Sequence, residues 1–559
     1  MELDYKGRTF SFSKNKRKKR KRRVVIILFS LLFFLLVTLY ISHSDYGKIK
    51  KIESLLLTNR LNKAEKVFND IKNSFFHKNS KRELKALIYL FKGKLKTGND
   101  ILKKLKVKRS YINYKSFLDF FSYNSKYDLL KIYSEFLYDF YNRDPELLIS
   151  IASASSALYL PQKSDKFLKL AIESGEDQNS GKIKILKDIN KTLRSGKINF
   201  VFDSNKDPIA YYDIAKREAV PMIKGFDFSE FGRSVRTGIK FFTLTIDKFV
   251  QDKVDRLFRG KHGSLVFIDL DDGSIISAYS KPFNTNFPNS AFTEKYEPGS
   301  IIKCITMFSY LNSQVDDIFP FNCKGNMLID GKIFYDWIKH GNLNDPVTAL
   351  ARSCNLSFAK MGILIGKQKL SDTLKLFRFN NPPINDLFLK LKTGSFNENI
   401  NNDFSLAKLS IGLNEIEETT FHMALISSLI ASDGISASPF LIINRKNILK
   451  LGNYYHKSSV MEVMKNNMAY SKIRFAMNRV VEDKNGTGRR AKKDNLKFAI
   501  KTGTAGSKKL GFDSVIIGFF PYESPRFSFA IRLERAGKAE LAGAGFLKDF
   551  LTGVTERNR

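Results

Sequence analysis

Three short motifs in a fixed order, Ser300-x-x-Lys303, Ser353-x-Asn355 and Lys501-Thr502-Gly503, constrain this chain more than any other feature. Together they supply a serine nucleophile, two lysines and two polar relays, the equipment of a serine acyl-transferase that works without histidine. A fold that uses them has to gather all three. Alone, each motif is uninformative. S-x-x-K also starts at Ser11, Ser13, Ser357 and Ser405, K-T-G at Lys96 and Lys392, and S-x-N at Ser13, Ser122 and Ser395. Context has to separate the set from chance.

Ser300 follows Tyr296-Glu297-Pro298-Gly299 and precedes the apolar-rich run Ile301 to Phe308. Pro-Gly before such a run predicts a turn opening a buried helix, with Ser300 in its first turn. There the helix dipole favours a developing alkoxide, and Lys303 shares the face of the serine. Ser353-Cys354-Asn355 reads as a turn between two packed helices, a position that projects polar side chains into a cleft. Lys501 closes the run Leu496 to Ile500. With Ser514–Phe520 and Phe527–Leu533 this run predicts an antiparallel meander, and Gly503 lets backbone approach a bound ligand.

These residues resemble the transpeptidase domain of penicillin-binding proteins, the serine acyltransferases of bacterial wall synthesis. The likeness extends to Phe242–Asp247 with Gln251, Gly263–Asp269, Gly273–Ala278, His340-Gly341, Ser410–Leu413, Ala431–Gly434 and Gly486-Thr487-Gly488, covering roughly 240–550 and more weakly from Asn199. Ile500 stands where many relatives have glycine. No glycosyltransferase-like domain precedes the match, so the chain resembles the monofunctional, class B-like group.

The resemblance implies a D,D-transpeptidase that cross-links peptidoglycan stem peptides through an acyl-serine intermediate and is acylated by β-lactams. Ser300 is the implied nucleophile and Lys303 its base. Ser353 and Asn355 complete the proton relay, and Lys501, Thr502 and Gly503 bind substrate beside Thr504. The backbone N–H groups of Ser300 and Thr504 are the implied oxyanion hole, a donor of that kind being worth about 3–4 kcal/mol. Lys303 can act as a base only when neutral, which burial and the charge of Lys501 would favour. No cofactor is implied, and the six histidines and three cysteines show no metal-ligand spacing. A D,D-carboxypeptidase, a β-lactamase or a non-catalytic β-lactam-binding scaffold are the alternatives. A β-lactamase needs a water-activating carboxylate, for which Glu415, Glu417 and Glu418 offer no placement.

Residues Lys16 to Arg23 are unbroken Lys and Arg, followed by the uncharged apolar run Val24 to Ile41. That run is long enough to span a bilayer, and the basic flank predicts a cytoplasmic N-terminus. The catalytic part is then extracytoplasmic, at the bacterial inner membrane. Fusion of the basic cluster to an apolar span argues against a nucleic-acid partner. The 559-residue chain carries a formal charge of +38, of which residues 1–23 supply only +9. A basic exterior suits anionic lipid or acidic wall polymer. Cys304, Cys323 and Cys354 make no disulfide framework, and Cys304 is expected to pack beside the serine helix.

From about Ser44 to Ser195 the pattern is helical, with paired runs around Leu55–Phe68, Leu84–Leu105 and Ile149–Glu173, reminiscent of tetratricopeptide-like repeats or a spacer. The expected class is α+β. It comprises a basic cytoplasmic tail over 1–23, a single transmembrane helix over 24–42, an all-α extracytoplasmic region over 43–195 and a short linker or pedestal remnant over 196–239. A penicillin-binding-protein/β-lactamase-like domain with an antiparallel sheet flanked by helices fills 240–559. Expected partners are stem peptides, β-lactams, the cytoplasmic membrane, and a glycosyltransferase or other wall-synthesis proteins.

Overall fold

A computed structural model describes residues 30–559 except 34, 37–39, 41–42, 72–76, 106–111, 125, 159, 236–239, 283–288, 388, 414, 448–452, 465–467, 508–510 and 556–559. The basic tail, and most of the expected anchor at 24–42, lie outside the described residues. Among those described, no helix is long and apolar enough to cross a membrane. The chain divides into two units, Met1–Lys191 with Ile448–Gly452, and Thr192–Asn447 with Asn453–Arg559.

The first unit is helical. Leu61–Asn69, Lys78–Phe91, Leu95–Lys103, Tyr114–Tyr123, Tyr127–Tyr141, Pro145–Ala157 and Pro161–Glu173 follow one another along the chain. Local chemistry sets their starts. Asp144 accepts hydrogen bonds from the Glu146 and Leu147 backbone at 2.9 and 3.2 Å, just ahead of Pro145. Pro161 likewise opens the last of these helices. Their apolar stripes bury Leu84, Phe117, Phe121 and Tyr133, and the Tyr133 hydroxyl donates to buried Glu83 at 2.5 Å. The K-T-G at Lys96 sits inside the helix Leu95–Lys103, not on a strand.

The second unit holds two large sheets and several two-stranded ones. Strands β1 (Lys197–Phe202), β2 (Pro208–Asp213), β3 (Glu218–Pro221) and β4 (Lys240–Leu244) precede β5 (Gly263–Asp269) and β6 (Ile275–Lys281). Farther on come β7 (Phe321–Cys323), β8 (Asn326–Ile329), β9 (Lys332–Tyr335) and β10 (Gly341–Leu343). Of the later strands, β11 (Ile442–Asn447), β12 (Tyr454–Tyr455), β13 (Ala499–Ser507), β14 (Gly511–Phe520) and β15 (Phe527–Leu533) complete the two large sheets. One sheet runs β12-β11-β4-β1-β2-β3 and the other β13-β14-β15-β5-β6. The stretch 196–239, expected as a short linker or pedestal remnant, carries strands among its described residues. It forms three strands whose sheet continues through β4 into β11, so the sequence boundary at 240 falls inside one hydrogen-bonded layer.

The five-stranded sheet is antiparallel throughout and is sandwiched by helices. The helices that matter here are α1 (Lys248–Leu257), α2 (Lys303–Leu311), α3 (Pro346–Ala351), α4 (Asn355–Ile365), α5 (Thr420–Ala431), α6 (Met468–Glu482) and α7 (Ala544–Thr555). Every residue of α5 is buried, and Ser427 and Ser428 anchor it to β14 and β15 through the Gly518 carbonyl and Ser528 hydroxyl, at 2.7 and 2.6 Å. Phe258, Phe267, Phe529, Phe546 and Phe550 fill the layer that joins α1 and α7 to the sheet. Asp247 caps α1, and Gln251 ties that helix to β6 through the Ala278 carbonyl and the Ser277 hydroxyl, which explains the Asp247…Gln251 spacing.

Candidate active site

The Ser300 turn is built by glycine and by tight packing. Gly299 has φ +57°, and a Cβ there would lie 2.9 Å from the Thr504 carbonyl oxygen. Its N–H donates to Gly412 at 3.0 Å, and a Cβ on Gly412 would reach within 2.0 Å of the Gly299 oxygen. Residues Gly299–Ile301 form one 3₁₀ turn leading into α2. Ser300 is partly exposed in the cleft, and its hydroxyl has no hydrogen-bond partner among the described residues.

Lys303 is fully buried beneath that turn. Its ammonium donates to the Ser353 carbonyl at 2.7 Å, the Ser353 hydroxyl at 3.3 Å and Asn355 Oδ1 at 2.7 Å. The Ser353-x-Asn355 segment is the turn between α3 and α4, as its flanks predict. Asp345 caps α3 ahead of Pro346, and Ser353 takes φ +58°. From the strand side, Lys501 Nζ donates to the Ser353 hydroxyl at 3.0 Å and to the Thr502 carbonyl at 2.7 Å. Two buried lysines thus converge on one serine hydroxyl.

Two buried ammonium groups so close cannot both hold a proton cheaply. Burial pushes Lys303 down to about 8. Burial and the charge of Lys303 push Lys501 down to about 7. The shared hydroxyl makes them one titrating unit. For Asp336, burial is outweighed by neighbouring His340 and the Lys303 charge, which hold the carboxyl well below the usual carboxylate range.

A cleft of about 280 Å³ lies over this cluster. Ser300, Ser353, Asn355, Thr502 and Thr504 line it, so the structure brings the three motifs to one surface. Two positions gain detail that the sequence did not supply. Lys501 is fully buried behind Ser353 and does not line the cleft, whereas Thr502 does. Gly503 also makes room for protein, because a Cβ there would lie 2.7 Å from the Pro298 carbonyl oxygen. Lys501 also lies inside β13, since the strand runs on through the motif to Ser507.

Other lining residues carried no motif: Trp337, Phe512, Lys538 and Glu540. Trp337 Nε1 donates to the Ser353 carbonyl at 3.3 Å, and the Lys538 ammonium sits 5.6 Å from the Trp337 ring centre. Thr487, within the family-like Gly486-Thr487-Gly488, pairs its hydroxyl with Thr502 at 2.6 Å. Asp336 accepts the Asn355 and Leu356 N–H groups at 2.8 and 3.2 Å and so holds the start of α4. Glu418 is buried against His422 at 3.4 Å, while Glu540 is the carboxylate that reaches the cleft. All three cysteines are free and buried, Cys304 within α2.

Comparison with known proteins agrees with this geometry. Residues 263–550, more than half of the chain, match the family described as the penicillin binding protein transpeptidase domain. Stage V sporulation protein D of Bacillus subtilis is 26% identical over 282 residues, covering 46% of this chain and 40% of that protein. Peptidoglycan D,D-transpeptidase PbpA of Mycobacterium tuberculosis is 24% identical over 279 residues, covering 46% of this chain and 54% of its own. The chain thus spans about half the length, or less, of these curated relatives. Among solved structures, the penicillin G acyl-enzyme complex of penicillin-binding protein A from M. tuberculosis shares the fold, with a TM-score of 0.54 at 19% identity, over 64% of this chain and 99% of that one. By sequence match, motif order and the architecture that gathers the motifs, this chain belongs to the penicillin-binding protein transpeptidase family.

Proposed function

We propose that this protein is a peptidoglycan D,D-transpeptidase working through an acyl-serine intermediate, held at the inner membrane by residues 24–42 with its catalytic unit outside the cytoplasm. One observation carries the reading: an unpartnered serine hydroxyl lines the same cleft as Ser353, whose hydroxyl two buried lysines share. The Ser300 oxygen attacks the penultimate D-alanyl carbonyl, and its proton passes to neutral Lys303. As the C–N bond to the terminal D-alanine breaks, the Ser353 hydroxyl donates a proton to the leaving amine and regains one from the lysine pair. An amine of a second stem peptide then attacks the ester, a new amide forms and Ser300 recovers its proton. The Ser300 and Thr504 N–H groups take the developing oxyanion. Thr502, with the Lys501 charge behind it, receives the substrate carboxylate.

A β-lactam presents the same carbonyl and carboxylate, so it acylates Ser300 as well. The name of the M. tuberculosis relative supports the activity, and the acyl-enzyme structure of the related fold supports the trapping. Stem peptides are the substrates, and a glycosyltransferase that supplies glycan strands is the expected partner.

Labelling of the full chain in detergent with a fluorescent penicillin, read over time by mass spectrometry, tests this. The expected result is a stable adduct on Ser300 that Ser300→Ala abolishes. Rapid antibiotic turnover would instead make the enzyme a hydrolase. Absence of any adduct on folded protein would leave a scaffold.

A further inference from the structure

Beside the motif cluster, and touching it through the middle residue of Ser353-Cys354-Asn355, Cys323 at the end of β7, Asp336 just after β9 and Cys354 in the α3–α4 turn bring their side chains together. Both thiols donate to one carboxylate oxygen, Asp336 Oδ2, at 3.4 and 3.1 Å. The two sulfurs and that oxygen all lie within 4.8 Å of one another. His340 stands just outside that group and is the fourth donor a cation would draw in. Its side chain is 2% exposed, and Nε2 lies 3.5 Å from Asp336 Oδ1 with no hydrogen-bond partner. Along the chain these residues carry no ligand spacing, and only the hairpin β8–β9 and the pairing of β10 with β7 juxtapose them.

We infer that Cys323, Asp336, Cys354 and His340 form a binding site for one borderline-soft divalent cation, of which zinc is the best fit. A tetrahedral zinc centre with sulfur at about 2.3 Å and oxygen or nitrogen near 2.0–2.2 Å has ligand-to-ligand edges of roughly 3.3–3.8 Å. The thiol-to-carboxylate distances already stand close to those edges. The exchange also balances in charge. Two thiol protons leave to bulk base as one divalent cation enters, so the buried net charge stays at that of the single Asp336 carboxylate. Asp336 Oδ2 keeps its two backbone donors from α4, which orient it as a ligand. Two thiolates, a carboxylate and an imidazole select zinc over calcium or magnesium.

The cation would cross-link β7 and the residues after β9 to Cys354, whose neighbours Ser353 and Asn355 hold Lys303. Bound metal therefore stiffens the turn that carries the relay.

The test is a cobalt(II) titration of the full chain in detergent, fully reduced by a phosphine and free of oxygen. The expected result is one equivalent bound with a thiolate-to-cobalt charge-transfer band, two protons released, displacement by zinc and a raised melting temperature. Cys323→Ser, whose side chain lies outside the cleft, should lose the band and weaken binding at least about tenfold, with its metal-free melt showing that it folds. Cobalt bound without the band, or bound equally well by Cys323→Ser, overturns the site. So does a Cys323–Cys354 disulfide in protein isolated without reductant that resists metal loading.

Discussion

The cleft has two walls of different construction. The helical wall, from Ser300, Lys303, Ser353 and Asn355, is made of side chains on two separate segments that meet through buried hydrogen bonds. The strand wall, β13, is a continuous ladder in register with β14, Lys501 opposite Ile517 and Thr504 opposite Ser514. Among the described residues, its polar side chains bond the helical wall at one hydroxyl, that of Ser353. Side-chain chemistry concentrates on the helices, whereas the sheet supplies position. The helical wall should therefore fail by losing chemistry and the strand wall by losing placement.

The sharpest break is Lys303→Ala. It removes the base and strands the Asn355 amide and the Ser353 carbonyl in a buried site. Acylation by a fluorescent penicillin should fall by roughly 10²–10⁴, the range general-base catalysis supplies. A loss below tenfold would shift the base role to Lys501.

Gly503→Ala attacks the other wall. The new Cβ, 2.7 Å from the Pro298 oxygen and 3.2 Å from the Ile301 side chain, must push β13 off the Ser300 turn. Overpacking of this kind costs about 1–3 kcal/mol, so the melting temperature should drop and acylation slow by about 10–10². Unchanged labelling and melting would mean that the walls do not need this approach to position Ser300.

A pH profile tests the contact between the walls. With the lysine pair lowered to about 8 and 7, the acylation rate should rise about tenfold per unit on the acid side and level off above about pH 8. Both pKa values lie below that of an unfolded lysine, so the folded state binds fewer protons across this interval. Stability should then rise with pH from about 7 towards 10.5 and be lowest below 7. An acylation rate flat from pH 6 to 9 would remove the neutral-lysine requirement.

What could be read from the sequence divides along the same line. Ser300, Lys303, Ser353, Asn355 and the strand at Lys501 were legible because local signals mark them: Pro298-Gly299 before an apolar run, Asp345-Pro346 ahead of the Ser353 turn, and alternation through Leu496–Ile500 with two apolar runs after it. Contacts made by distant chain segments left no such signal. Asp336 is one acidic residue after a short strand, and nothing near it announces that it will cap α4. Glu540 and Lys538 precede α7, far from any motif. Gly503 was visible as a glycine, but the Pro298 carbonyl that requires it was not. The stretch 196–239 read as a short linker or pedestal remnant because its strands are short, while the continuation of their sheet through β4 into β11 is a property of the folded layer.

Thr487→Val is the gentlest probe and separates shape from hydrogen bonding on the strand wall. Valine keeps the volume. The Thr487 N–H still donates to the Ala351 carbonyl at 3.2 Å, so the loop between α6 and β13 stays tied to α3. Only the 2.6 Å hydroxyl pair with Thr502 is lost. One such bond is worth about 0.5–1.5 kcal/mol, or about 2- to 12-fold. If Thr502 receives the substrate carboxylate, the loss should appear as a higher KM for stem peptide with little change in kcat or melting temperature. A fall in kcat at constant KM would instead place the Thr487–Thr502 pair in the proton relay, and the strand wall would then share the chemistry assigned here to the helices.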